Sequence, residues 1–201
     1  MQLLDRSVRA IPKIESRHAR AVLDPLRNRL LAALPQPDFA AIARHLATAS
    51  MPPGHILDEA NDSVRQVYFP LKGMLSLLSV LRNGKAIETA TVGREGVVNA
   101  MAGLGLRTSG VRAVVQLPLD VAIIPAPRFA EAAAQSISIR NMCINYNEIL
   151  LTQARVTAAC NATHAVHQRF CRRLLQCVRR VSPGIGQARA AQDGVERAAS
   201  A

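Results

Sequence analysis

Apolar and polar positions along the chain change texture twice, from a helical period to short strand-like runs and back again. Val22, Leu26, Leu30 and Leu34 recur four apart until Pro35 and Pro37 stop the pattern. Pro25 breaks or opens it, so the spacing predicts a helix over Pro25–Leu34. Asp38 is a candidate cap for a second short helix with Phe39, Ile42, Ala43 and Leu46 on one face, ended by Met51-Pro52-Pro53-Gly54. From His55 to Pro125 the apolar runs shorten: His55–Leu57, Gln66–Phe69, Met74–Leu81, Ala86–Val92, Val111–Leu117 and Val121–Ile124. Asn61-Asp62, Pro70, Asn83-Gly84, Gly93, Gly103, Gly105 and Pro118 punctuate them. Many short, evenly spaced strands predict an antiparallel sandwich, barrel or jelly roll. Asn83-Gly84 is the strongest hairpin signal, because both residues tolerate the positive φ of a type I′ turn. Val97–Leu106, small and apolar, fits either a strand or a short helix.

The helical period returns at Pro127–Ala134, and Ser136 then caps a longer helix with no Pro or Gly before Pro183. One stripe on it, Ile139, Met142, Tyr146, Ile149, Gln153, Val156 and Cys160, alternates spacings of three and four, the seam of a dimerising helix. The alternative is that this seam packs only on the β unit. A second stripe (Ile137, Ile144, Leu151, Ala154, Ala158) is available for that packing, which would free the first for a partner. Gln153 in the seam would cost stability while helping to fix register. Asn161 and Thr163 favour a break near Cys160–Thr163. A third helix is expected from about His164 to Val181, with Val166, Phe170, Leu174, Cys177, Val178 and Val181 on its apolar face. The expected organisation is therefore a basic leader over 1–24, a β-roll with flanking helices over 25–135, a dimerisation helix over 136–162, a further helix over 163–181 and a disordered tail over 182–201.

Composition adds constraints. At 201 residues and 49% apolar content the chain can bury a real core, and with 3% aromatic residues and no Trp that core must be aliphatic. The net charge of +11 is uneven: +4 over residues 1–29, +1 over 30–154, +6 over 155–181 and zero beyond. A near-neutral body between basic segments suggests a local anionic partner, with nucleic acid, a partner protein and simple solubility as the options. Arg169, Arg172, Arg173, Arg179 and Arg180 are the candidate nucleic-acid contacts. Cys143, Cys160, Cys171 and Cys177 lack zinc-ribbon or CxxC spacing and read as reduced thiols. No run approaches the ~18 apolar residues of a membrane span, and the N-terminus lacks an apolar signal core, so a cytoplasmic location without membrane contact is expected.

Particular residues carry a resemblance: Asn28-Arg29-Leu30-Leu31-Ala32-Ala33-Leu34, Val67-Tyr68-Phe69-Pro70, Gly73-Met74, Thr91-Val92-Gly93-Arg94-Glu95-Gly96, and Ala159-Cys160-Asn161 followed by His164 and Gln168-Arg169. Over about residues 28–181 the chain resembles the Crp/Fnr family of bacterial transcription regulators, in a subgroup whose effector is generally not assigned. The resemblance implies an α+β fold: an antiparallel, cyclic-nucleotide-binding-like jelly roll, a dimerising helix and a C-terminal winged helix-turn-helix. It implies a homodimer acting on DNA through that reading head; separately, no Ser/His/Asp, paired-carboxylate or phosphate-loop arrangement stands out, so no catalytic activity is expected.

Two departures qualify the expectation. Nucleotide-binding relatives hold the ribose with a Glu and the cyclic phosphate with an Arg. The corresponding stretch here, Gly96-Val97-Val98-Asn99-Ala100-Met101, offers no acid, and neither Arg107-Thr108 nor Arg112 falls in register. The candidate effector pocket is therefore Val98, Asn99, Arg107, Thr108 and Arg112, with a cyclic nucleotide disfavoured and no cofactor expected. After Val181 no amphipathic helix pair follows, so a truncated regulator without its own reader is expected, its third helix orphaned. Such a chain would act as a sensor or as an interaction module that pairs with full-length relatives, touching DNA through them or weakly through its Arg-rich helix. Cys160, His164, His167 and Cys171 share a helical face but span too great a length (~16 Å at 1.5 Å per residue) to surround one metal ion; a His164/His167 pair could hold one weakly or across a dimer. Residues 1–50 contain no Cys for an iron–sulfur sensor. A cupin-type enzyme needs several strand-borne His, and His55 is alone between residues 50 and 126.

Overall fold

The computed structural model describes residues 23–181. Most of the expected leader, and all of the tail over 182–201, lie outside the described residues. The predicted Pro25–Leu34 helix divides in two at Asn28. A 3-10 turn, Pro25–Arg27, is capped by the Asp24 carboxylate accepting from Leu26 N at 2.9 Å. Helix α1, Arg29–Ala32, follows, with Asn28 as its N-cap. Asn28 is fully buried. Its side-chain oxygen accepts from Leu30 N (3.0 Å) and Leu31 N (3.1 Å), while Nδ2 donates to Pro70 O (2.9 Å) and Gly96 O (2.8 Å). One polar side chain thus caps a helix and pins it to the strand Gln66–Val80 and to the loop after the strand Ala86–Val92, with both of its own amide hydrogens used.

Helix α2 spans Gln36–Ala43, starting at Pro35; Asp38 lies in its first turn and is not the cap. Proline at the helix start is favourable because the missing N–H would be orphaned there anyway. Strand β1, Ala47–Met51, takes up residues expected to extend or end the helical region. Its sequence, ATASM, has one β-branched residue and one buried side chain, Ala49, so no period-2 signal marks it.

The remaining strands are β2 (Ile56–Asp58), β3 (Gln66–Val80), β4 (Ala86–Val92) and β5 (Arg112–Pro125). They form one antiparallel sheet in the order β1-β5-β3-β4, with β2 also on β5. Two of these strands were each expected as two. Pro70 and Pro118 looked like breaks, yet the chain only bends there, with register shifts from Pro70 to Leu75. The bend needs glycine: Gly73 has φ +86°, and a Cβ on it would lie 2.1 Å from Pro118 O. Strands β3 and β4 form the expected hairpin, but not through a type I′ turn. Leu81 N donates to Lys85 O, Gly84 N donates to Leu81 O, and of the two turn residues only Gly84 has positive φ. This is a three-residue loop with glycine in the left-handed position, closed by Lys85 N donating to Asn83 Oδ1 at 3.1 Å.

Helices α3 (Ala126–Gln135), α4 (Ile137–Thr163) and α5 (Val166–Val181) complete the α+β fold. Ser136 caps α4 as expected, its hydroxyl accepting from Ile139 N at 3.1 Å. The core is mostly aliphatic, with Phe69 and Phe129 in an edge-to-face contact at 5.9 Å and Tyr146 packed from α4.

Candidate functional site

The crossover from β4 to β5 packs beneath α4 and makes the site. Its first part is held by close approach. Gly96 lies under Tyr146, whose hydroxyl would sit 1.8 Å from any Cβ there; Gly103 lies against Phe129 and Cys143. Both glycines are therefore required by packing. Val98 exchanges two backbone hydrogen bonds with Tyr68, at 2.8 and 3.1 Å, anchoring the crossover to β3. Asn99 follows in the left-handed region (φ 65°), and a 3-10 turn, Ala100–Leu104, ends at Gly105.

Asn99 holds its strained backbone with both amide hydrogens. Nδ2 donates to Asp58 Oδ2 at 2.6 Å and to Gln66 O at 2.9 Å. Burial is the largest influence on Asp58 and pushes its carboxyl up to about 6, with Asp62 adding to the rise and the Asn99 hydrogen bond opposing it. Burial likewise raises the Tyr68 phenol above its usual range and pushes the Cys143 thiol up to about 12. Cys143 is thus an inert core thiol.

Between the sheet, the crossover and α4 lies a cavity of about 240 Å³. Leu77, Thr89 and Ala90 form its sheet wall; Asn147, Leu150, Leu151 and Ala154 close it from α4; residues 98–102 and 108–111 form the crossover wall. No lining residue is charged.

The candidate pocket residues separate here. Val98, Asn99 and Thr108 line the cavity, whereas Arg107 and Arg112 do not. The Arg107 side chain is exposed. Arg112 Nε donates to Glu59 Oε2 at 2.7 Å, committing the guanidinium to an ion pair outside the cavity. Of the four α4 residues that line the cavity, the stripe expected to pack inward supplies Leu151 and Ala154 but not Asn147 or Leu150. Ile139, Cys143 and Tyr146 are buried, and Asn147, Leu150 and Ala154 continue the same face. Within the expected seam, Ile139 and Tyr146 pack on the chain's own domain, Met142 packs partly against it, and the Gln153 side-chain oxygen accepts from Thr91 N at 3.3 Å. Ile149 and Val156 face outward, as do Ile137, Ile144 and Leu151 of the stripe expected to pack inward. A signal was present: Ile139, Cys143, Tyr146, Leu150 and Gln153 also alternate four and three.

Two of the candidate nucleic-acid arginines have partners within the chain. Arg173 donates to Glu88 on β4 and, at 3.2 Å, to the Ser76 hydroxyl on β3; that hydroxyl donates to Glu88 Oε2 at 2.7 Å. Arg172 reaches Thr157 on α4 at 3.4 Å. Arg169 is half-buried, and the side chains of Arg179 and Arg180 lie outside the described residues. Along α5, Val166, Phe170, Leu174, Leu175 and Val178 are exposed. Among the described residues no cluster of three or more metal-ligating side chains occurs, and no helix is long and apolar enough to cross a membrane.

Residues 48–136 match the cyclic nucleotide-binding domain family. No curated protein matches the chain. Among solved structures the fold is similar to the c-di-GMP responsive global regulator CLP of Xanthomonas campestris, at 16% identity and a TM-score of 0.58, covering 70% of each chain. FixK2 of Bradyrhizobium japonicum is similar at 15% identity and a TM-score of 0.57, covering 67% of each chain. A regulatory subunit of a cAMP-independent protein kinase A from Trypanosoma brucei is similar at 15% identity and a TM-score of 0.50. This chain spans 43% of that subunit's length, with 58% of itself covered. The shared feature is the cyclic nucleotide-binding fold.

Proposed function

We propose that the chain is the sensor and dimerisation part of a Crp/Fnr-type transcriptional regulator, in which a small effector held between the sheet and α4 alters how two α4 helices pair. One observation carries this reading: Leu151 lines the cavity and is also 43% exposed, on the outward stripe with Ile137 and Ile144. A helix that bounds the ligand space on one side and offers an apolar stripe on the other can convert occupancy into a change of partner contact. The reading assigns the chain no catalytic step. Sedimentation of the full chain tests it. The parent should sediment as a dimer, and Ile144→Asp should be monomeric at the same concentration while keeping the parent's far-ultraviolet circular dichroism, since a charge would be buried in the pair. A monomeric parent, or a variant that stays dimeric, would sink the reading.

The exposed strip on α5 favours a second reading, a protein-interaction module that heterodimerises with full-length relatives. Phe170 is 61% exposed and Val166 71%, an apolar strip of the kind that marks a contact surface. A tagged chain that recovers no such relative from its host would remove this reading. For DNA, weak and steeply salt-dependent gel shifts would fit the basic α5 alone, and sequence-specific binding would contradict both readings.

A further inference from the structure

We infer that the cavity between the sheet and α4 takes an uncharged, largely apolar molecule of one or two rings, and not a cyclic nucleotide. The inference rests on the cavity being the effector site of the proposed sensor. Its first support is charge. No side chain in the lining is ionisable, and the nearby arginines are elsewhere: Arg112 is paired with Glu59 and Arg107 is exposed outside the lining. The ionisable group joined to the lining through Asn99 is itself an acid, Asp58. An anion entering this space would lose its hydration and meet no countercharge, whereas a neutral apolar ligand loses little.

Size gives the second support. A cavity of ~150 Å³ holds benzene, so about 240 Å³ suits a fused bicyclic ring. It lies below the ~300–1,000 Å³ typical of drug-sized ligands. Polar complementarity gives the third. Both Asn99 amide hydrogens are committed, to Asp58 and Gln66, and the Thr89 hydroxyl donates to Leu77 O. The Asn99 side-chain oxygen and the Asn147 amide have no hydrogen-bond partner among the described residues. They give the lining acceptors at two oxygens and a donor at the Asn147 amide, enough for the one polar group of a ligand that is otherwise apolar.

The chain has no Trp, so indole, a neutral bicycle with one N–H, can be followed in it by its own fluorescence. Indole titrated into the full chain should saturate at one per chain, with emission shifted to the blue and an affinity insensitive to salt. Cyclic AMP and cyclic GMP at millimolar concentration should not displace it. Ala154→Phe, which fills the cavity from α4, should weaken binding at least about tenfold without lowering the melting temperature. If that variant does not fold, Ala90→Leu fills the cavity from the opposite wall and should give the same loss. No saturation, binding untouched by the filling variant, or displacement by a cyclic nucleotide would each overturn the inference. Displacement by a cyclic nucleotide would leave the sensor reading standing, while a monomeric parent would remove that reading whatever the cavity binds.

Discussion

Replacing Asn28 separates two jobs that one side chain performs. Its oxygen caps α1 through Leu30 N and Leu31 N, and its amide donates to Pro70 O and Gly96 O, all in a fully buried setting. Loss of an N-cap costs about 1 kcal/mol. A buried carbonyl deprived of its donor costs about 1–3 kcal/mol. Carbonyl oxygens accept twice, so the low end applies to each, and Asn28→Ala should lose about 3 kcal/mol in all. Against a typical total of ~5–15 kcal/mol this is a large fraction. Asn28→Ser keeps a capping oxygen and loses only the two donors, so it should recover about 1 kcal/mol of the deficit. Urea denaturation of the full chain, followed by far-ultraviolet circular dichroism, measures both. If Asn28→Ala lost only the cap's worth, or Asn28→Ser were as stable as the parent, the two long-range bonds would contribute nothing and the argument would fail.

Gly73→Ala should destabilise by at least about 3 kcal/mol, from the left-handed backbone and the backbone contact beneath it, while Gly84→Ala, equally left-handed but in open space, should cost about 1 kcal/mol; equal losses in urea would contradict the bend at Pro118. The Asp58 carboxyl, pushed up to about 6 in the folded chain from an ordinary 3.8, binds more protons folded than unfolded between those values. Its neutral form therefore adds stability at pH 4 that is lost as pH rises through 6, by about 1–2 kcal/mol once partial exposure is discounted. Asp58→Asn should flatten that slope and be the more stable protein at pH 7.5; urea midpoints at the two pH values that fell in parallel with the parent would refute this. Cys143 should resist a thiol-specific disulfide reagent until the protein unfolds, whereas exposed Cys171 should react in the native state, and mass mapping of the modified thiols distinguishes them.

Much of the fold was legible because local chemistry and tertiary structure agree. Ser136 caps α4, Ala86–Val92 is β4, and Asn83-Gly84 lies in the loop that joins β3 to β4. Where the sequence misled, a strong local signal was overruled by packing. Pro70 remains in β3 because what it contributes there is a carbonyl, which accepts from Asn28. Pro118 remains in β5 because Gly73 brings its own backbone close enough to follow the bend. Strand β1 gave no warning, since small residues on an edge have neither a helical nor an alternating pattern. The cavity lining was legible in part: Val98, Asn99 and Thr108 belong to the crossover and Leu151 and Ala154 to a stripe expected to pack inward, while Asn147 and Leu150 required knowing how α4 is rotated on the sheet.

That last ambiguity has a physical origin, and it bears on function. One residue along a helix is a rotation of ~100°, so stripes that begin with Ile139-Met142 and with Ile139-Cys143 diverge by a full residue at every second turn. Both are apolar enough to qualify as a buried seam. Tyr146, over Gly96, belongs to both stripes; the choice is resolved where Gly103 admits Cys143 to contact, and Ile149 and Val156 are left exposed. A helix apolar on two faces has a second use for the face that the core does not take. Ile137, Ile144 and Leu151 stand a heptad apart on that outward side, and Leu151 reaches both the stripe and the cavity. In the proposed sensor, a ligand that moves Leu151 would thereby alter the surface offered to a partner. The size of that change is limited by the ligand's preference for one helix position over the other.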